Sequence, residues 1–160
     1  MDDGLVATDA TAVKIEIVGP DDLLDFNSKF GTEEACREAL FRWRWDKCYK
    51  CPECDHAEAY FHQPRRLFQC KGCGYQASLT TGTIFHRTRV PLRKWFLLIF
   101  LLARRAEGYR LYQLQDILEI RSTRTFWQMK KKIQEKLRKG NKSKKLRALV
   151  KLICNTKAKD

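Results

Sequence analysis

Between Cys51 and Tyr75 the chain reads CPECDHAEAYFHQPRRLFQCKGCGY, and no other stretch restricts the fold as tightly. Two Cys-x-x-Cys pairs, Cys51 with Cys54 and Cys70 with Cys73, are separated by fifteen residues. That spacing lets two hairpin turns supply four thiolates to one tetrahedral ion, because a two-residue gap points both sulfurs of a pair the same way. Pro52 pre-sets the first turn. Gly74 accepts a positive φ just past the second pair, and Asp55, at the same place after the first, tolerates it better than most side chains. The runs Ala59–Phe61, Leu67–Phe68 and Gln76–Leu79 read as three short antiparallel strands. The expectation is a small zinc ribbon holding one structural zinc through Cys51, Cys54, Cys70 and Cys73.

Other uses of these cysteines are weaker. Two disulfides need an oxidising compartment, whereas the opening MDDGLVATDA has neither the basic start nor the apolar run of a secretory signal. A reducing, intracellular location is expected: the bacterial cytoplasm, or the nucleus in a eukaryote. Iron in a rubredoxin-like site has similar geometry, but nothing else in the sequence points to electron transfer. Cys48 allows a shifted pair with Cys51, and His56 and His62 offer imidazoles, yet the turn at Pro52 favours Cys51 with Cys54. Cys36 and Cys154 read as small buried or incidental residues.

At 160 residues the chain is one modest domain or two very small ones, of a size that a metal commonly staples. Its charge is unevenly spread: residues 1–40 hold ten acidic and three basic residues, and residues 41–160 hold nine acidic and 29 basic. A basic excess of this size with interleaved aromatics favours a polyanion over a merely solvated surface. Residues 1–20 read as an acidic tail, with a strand over Val13–Ile17 as the competing reading. Residues 21–47 read as two helices, the first from Pro20 through Phe26 and the second capped by Thr32 with Glu33 and Glu34 in its first turn. Its face Cys36, Ala39, Leu40 and Trp43 should pack inward, and Trp43 and Trp45 read as core. The ribbon occupies 48–88, ending in a turn and a short extended run over Thr80–His86.

Residues 89–138 read as helical. Pro91 opens a helix whose nine apolar residues Trp95–Ala103 are too few to span a bilayer, so no membrane is expected, and Gly108 ends it. Leu111, Leu114, Ile117 and Leu118 keep a helical period, Ile120 closes that segment, and Ser122 or Thr123 caps a helix to about Leu137. A short helix, a tight turn and a longer basic helix form a helix-turn-helix pattern. Phe126, Met129, Ile133 and Leu137 make the inward stripe, with Trp127 beside it in the core. Arg121, Ser122, Thr123, Arg124, Thr125, Gln128, Lys131 and Lys132 are the expected DNA-contacting set: Arg and Gln near the start for base edges, lysines further along for phosphates. A solvated amphipathic helix with no DNA role has the same periodicity. Residues 139–160 are a basic tail, whose Leu146–Ile153 reads either as a last helix laid on the core or as part of a phosphate-binding arm. The fold class is α+β: a four-cysteine ribbon packed with a helical subdomain.

The segments GTEEACREALFRWRW (31–45), CPEC (51–54), QCKGCGYQASLTTGTIFHRT (69–88), PLRKWF (91–96) and LYQLQDILEI with TFWQMKKKI (111–133) carry a resemblance. Over about Leu23 to Arg138 their order resembles the N-terminal region of zinc-ribbon DDE insertion-sequence transposases, whose eukaryotic relatives include the Merlin transposons. The resemblance implies zinc on the four cysteines and binding of transposon-end sequences by residues 109–137. Glu119 departs from it, standing where a small residue or Gly is usual. Such transposases cut DNA with three carboxylates and two metal ions on a separate domain. After Gly74 this chain has only Glu107, Asp116, Glu119, Glu135 and Asp160. The expectation is a non-catalytic, transposase-derived protein that binds duplex DNA at terminal inverted repeats, with a homodimer or a full-length transposase as partner. The competing expectation is a protein-interaction or transcription-regulatory module.

Overall fold

The computed structural model describes residues 20–46, 48–104, 110–138 and 143–154. Its elements are α1 (Pro20–Phe30), α2 (Glu33–Trp45), β1 (Ala59–His62), β2 (Leu67–Cys70), β3 (Gln76–Ser78), α3 (Leu92–Ala103), α4 (Leu111–Leu118), α5 (Thr123–Arg138) and α6 (Ser143–Cys154). The architecture is α+β, and the strand reading of Val13–Ile17 lies outside the described residues.

Both N-terminal helices start as their sequences dictate. Asp21 and Asp22 occupy the first turn of α1, and the Thr32 hydroxyl accepts from the Ala35 N–H at 3.2 Å before α2. On α2, Cys36 and Leu40 are wholly buried, while Ala39 and Trp43 are only half-buried. Burial first, and the Glu33 carboxylate second, push the Cys36 thiol up to about 12, so it behaves as a small apolar residue. The Trp43 indole N–H donates to the Lys145 carbonyl at 2.8 Å, tying α2 to α6.

The three strands form one antiparallel sheet in the order β1-β2-β3, with Phe61 opposite Phe68 and Phe68 opposite Ala77. One sheet face is thereby aromatic and meets α2. Phe68 lies 5.7 Å from Phe41, 5.2 Å from Trp45 and 5.7 Å from Tyr49 between ring centroids. Arg44 locks the joint by donating to the Ser78 and Leu79 carbonyls at 3.3 and 2.7 Å while lying over the Trp45 ring. Ribbon and helices therefore share one core, in which Tyr49, Cys51, Cys70 and Leu79 join the helical residues.

The Thr80–His86 segment turns repeatedly and forms no extended run. Successive i→i+3 bonds run from Thr81, Thr83, His86 and Thr88 N–H back to the carbonyls of Ser78, Thr80, Thr83 and Phe85. Hydroxyls supply the reason, since they offer the backbone local partners that compete with a strand. Thr83 donates to the Thr80 carbonyl and accepts from Phe85 N–H, and Thr81 accepts from Ser78 N–H. The turns drive Phe85 into the core, 5.5 Å from Trp95 and 5.9 Å from Phe96.

Helix α3 is the central element, buried from Leu92 and from Trp95 through Leu101, and it packs against α1, α2, α4, α5 and α6. It stops at Ala103, with Arg104 closing the last turn; Gly108 lies outside the described residues. Pro91, before its first turn, has no side chain to cap the N–H groups there, and Glu33 on α2 does so from a distance. Its two carboxylate oxygens accept from Leu92 N–H at 3.0 Å and Arg93 N–H at 3.1 Å. Glu33→Ala leaves both amides without that acceptor and is expected to destabilise the chain by about 1–3 kcal/mol in urea unfolding. Glu33→Gln should recover part of that loss, and a parental midpoint for the Ala variant would refute the cap.

Helix α5 buries Phe126, Met129 and Ile133 beneath α3 and α6. Residues 143–154 take the first of their two readings: Leu146, Leu149 and Ile153 are buried, laying α6 on the core.

Candidate metal centre and basic helix face

The two cysteine turns are near copies of each other. Cys51 N–H donates to the His56 carbonyl at 3.0 Å and Cys70 N–H to the Tyr75 carbonyl at 2.9 Å. The Cys51 carbonyl accepts from Asp55 N–H and that of Cys70 from Gly74 N–H, at 3.1 and 3.0 Å. Asp55 and Gly74 both have positive φ, 59° and 72°, as the turns require. Inside each turn an amide points at sulfur, from Glu53 to Cys51 Sγ at 3.5 Å and from Gly72 to Cys70 Sγ at 3.3 Å.

The four Sγ atoms all lie within 4.8 Å of one another, and the Cys51–Cys73 and Cys54–Cys70 separations are both 3.6 Å. A tetrahedron with Zn–S bonds of about 2.3 Å has edges of about 3.8 Å, so the donor set fits one zinc ion. Without a cation, Cys51 and Cys54 ionise very unequally. Burial raises the Cys51 thiol, but the Cys54 and Glu53 amides and the Cys73 and Cys70 thiols outweigh it, and its pKa falls to about 6. At Cys54 the His56 amide favours the thiolate, yet Cys73, burial, Cys70 and Cys51 together push it up to about 12. A divalent cation removes that inequality. The buried Tyr49 hydroxyl has no partner of its own, and its ionisation is opposed first by burial and then by Cys51. A phenol in that position is placed to donate to a metal-bound thiolate.

The competing ligands stand apart. Cys48 is exposed and outside the sulfur cluster. The His56 ring rests against Gly72, where an added Cβ would come within 3.2 Å of it, and His62 Nε2 is paired with Gln69 Oε1 at 2.7 Å.

Of the residues singled out on and before α5, Arg121, Arg124, Gln128, Lys131 and Lys132 are exposed, the last four lying off the buried stripe of the helix. Ser122 and Thr123 hold the start of the helix together. The Ser122 hydroxyl accepts from Thr125 N–H at 3.3 Å, and Thr123 Oγ1 accepts from the Gln115 amide at 3.2 Å. Thr125 is half-buried, and Lys131 is 3.8 Å from Glu135. Trp127 corrects the sequence reading, being 50% exposed and outside the core. One residue on from Phe126 is about 100° around a helix, which carries it off the apolar stripe. Its ring meets the edge of Phe126 and has Lys130 Nζ over it at 5.0 Å. It thus adds an aromatic to the basic face, and the helical angle alone signals this.

Glu119 closes the α4–α5 turn in the left-handed region, φ 51° and ψ 41°, where glycine is usual. Lys94 of α3 holds it there, donating to the Glu119 carbonyl at 2.7 Å with its carboxylate 3.6 Å away.

Fold and site together define a four-cysteine zinc ribbon joined through one core to a helical bundle. Residues 31–76 match the family model of the transposase zinc-ribbon domain. An uncharacterized protein in the transposable element ISH50 of Halobacterium salinarum is 34% identical over 74 residues, covering 44% of this chain and 25% of that protein. No solved structure matches the chain. The ribbon region is therefore related to zinc-ribbon insertion-sequence transposases. The match starts at Gly31 and so takes in α2, whose Phe41 and Trp45 pack on Phe68 of the ribbon.

Proposed function

We propose that this chain binds double-stranded DNA in a sequence-specific way, as a transposase-derived module for terminal inverted repeats, with α5 in the major groove. The observation carrying this reading is the division of α5 into a buried stripe and a broad exposed face bearing Arg124, Gln128, Lys131 and Lys132. Short α4, the tight Glu119 turn and α5 have the order of a helix-turn-helix, whose second helix reads bases from its N-terminal end. The likeness to a protein of a transposable element supports the choice of target. The ribbon braces this unit through the shared core, with one structural zinc. Glu119 and Glu135 are paired with Lys94 and Lys131, at 3.6 and 3.8 Å. Among the described residues no helix is long and apolar enough to cross a membrane.

The test is a selection of bound sequences from a random duplex pool, using zinc-loaded protein at near-physiological salt. One recovered motif resembling an inverted-repeat end supports the reading. Binding without any motif, vanishing as salt rises, overturns sequence specificity. A second reading has its own observation: a hollow of about 870 Å³ between α2 and the ribbon has Phe41, Phe61 and Phe68 in its walls and suits an apolar protein segment. That reading gains if duplex binding is absent altogether.

A further inference from the structure

Beside the basic face of α5 lies a cleft to which no single stretch of sequence points. It is formed where the turns over 82–86 meet the C-terminal half of α5 and the start of α6. Two adjoining hollows make it up, of about 430 and 240 Å³, sharing Thr83, Ile84 and Lys136. Its ionisable walls are Lys132 and Lys136 from α5, Lys145 from α6, His86 from the turns, and one carboxylate, Glu135. Glu135 is already 3.8 Å from Lys131, and among the described residues Lys132, Lys136 and Lys145 make no ion pair. The Thr83 hydroxyl is occupied within its own turn. Three exposed lysines without an ion pair among the described residues thus line the two adjoining hollows, Lys136 facing both, and give the cleft a cationic wall suited to an anion. The larger hollow against the ribbon differs, since its rim mixes Glu34, Glu38 and Asp46 with Arg37, Arg42 and Arg66 and offers a polyanion no comparable field.

The cleft is also aligned with α5. Arg124, Gln128, Lys132 and Lys136 are four residues apart and form one ridge about 18 Å long, running from the start of the helix into the cleft. A duplex whose bases meet the start of such a helix presents its sugar-phosphate backbone towards the other end.

We propose that this cleft seats the phosphodiester backbone flanking the reading site, with Lys136 and Lys145 as principal donors and Lys132 and His86 at its edge. This rests on the DNA-binding reading and extends it from α5 to the 82–86 turns and α6. The turns then serve binding as well as packing, because they shape the wall against which the strand lies.

The test compares the full zinc-loaded chain with the double variant Lys136→Gln/Lys145→Gln, titrating a selected duplex and a random duplex by anisotropy at several salt concentrations. Each phosphate left without its lysine should flatten the plot of log affinity against log salt by roughly 0.9, so the expected change is close to two units. Affinity should fall alike on both duplexes, leaving their ratio unchanged. A control, Arg65→Gln/Arg66→Gln on the exposed β1–β2 hairpin, removes the same net charge and should keep the parental slope. The cleft assignment is overturned if the Lys136/Lys145 variant melts like the parent and keeps its slope, or if the control flattens the slope equally. Absence of duplex binding by the parent would instead overturn the DNA reading itself.

Discussion

Replacing Cys70 by Ser is expected to abolish stoichiometric zinc binding and unfold the ribbon. Cys70 is tightly engaged: it is 2% exposed, ends β2, takes the Gly72 amide on its sulfur, and belongs to the shared core. A serine hydroxyl ionises far less readily than a thiol and gives zinc a poor ligand. Structural zinc in units of this kind contributes roughly 10–16 kcal/mol of apparent binding free energy, which is folding free energy. Loss of one ligand in four removes a large part of it, and the damage reaches α2 because Phe68, two residues before Cys70, carries the aromatic joint. Metal analysis should give one zinc per parental chain and none for the variant, with a chelator reproducing the loss of structure in the parent. Cys48→Ser is the matching control, since Cys48 is exposed and outside the cluster. Parental melting of the Cys70 variant, or zinc loss on changing Cys48 instead, would refute the ligand set. The pH dependence has a definite sign. Zinc needs thiolates, while the metal-free site holds Cys54 protonated with a pKa pushed up to about 12. Loading at neutral pH therefore expels protons, and the stability that zinc adds is lost as pH falls and the sulfurs regain them.

What the sequence disclosed and what it concealed follow from the range of the forces involved. The cysteine turns, the Thr32 cap and the stripe of α5 are set by residues within a turn or two of each other, so spacing alone reveals them. Glu33 shows the opposite case. Its place in the first turn of α2 is legible, but its role as cap for α3, 59 residues on, depends on tertiary packing. That contact ties segment 31–45 to segment 91–96, a link that no local pattern records. The same holds for Thr88, whose hydroxyl accepts from the Trp95 indole at 2.9 Å and from Val90 N–H at 3.1 Å. The turn expected within Thr80–His86 is present, but the short extended run is not, because the Thr81 and Thr83 hydroxyls bond to neighbouring backbone and bend the chain around Ile84 and Phe85. The cleft beside α5 needs three separate elements to come together, and no linear pattern records that.

Changing Arg124 and Gln128 to Ala should erase sequence preference while leaving much of the total affinity, and changing Lys131 and Lys132 to Ala should do the reverse. The distinction rests on position along α5. Arg124 and Gln128 lie one turn apart near its N-terminal end, exposed and without ion-pair partners among the described residues. Their forked side chains are suited to paired acceptors and donors on base edges, each such contact being worth about 1–3 kcal/mol of discrimination, or roughly 10- to 100-fold. Lys131 and Lys132 carry point charges further along, where phosphate neutralisation affects every duplex equally and sets the salt dependence. All four side chains are exposed, and alanine is the strongest helix former, so neither variant should lose helical structure. Repeating the duplex selection with each pair separates the roles. The Arg124/Gln128 variant should return a blurred motif, and the lysine variant the parental motif at lower yield. A parental motif from the Arg124/Gln128 variant would place base reading elsewhere, and exposed Trp127 on the neighbouring strip of α5 would become the first residue to change.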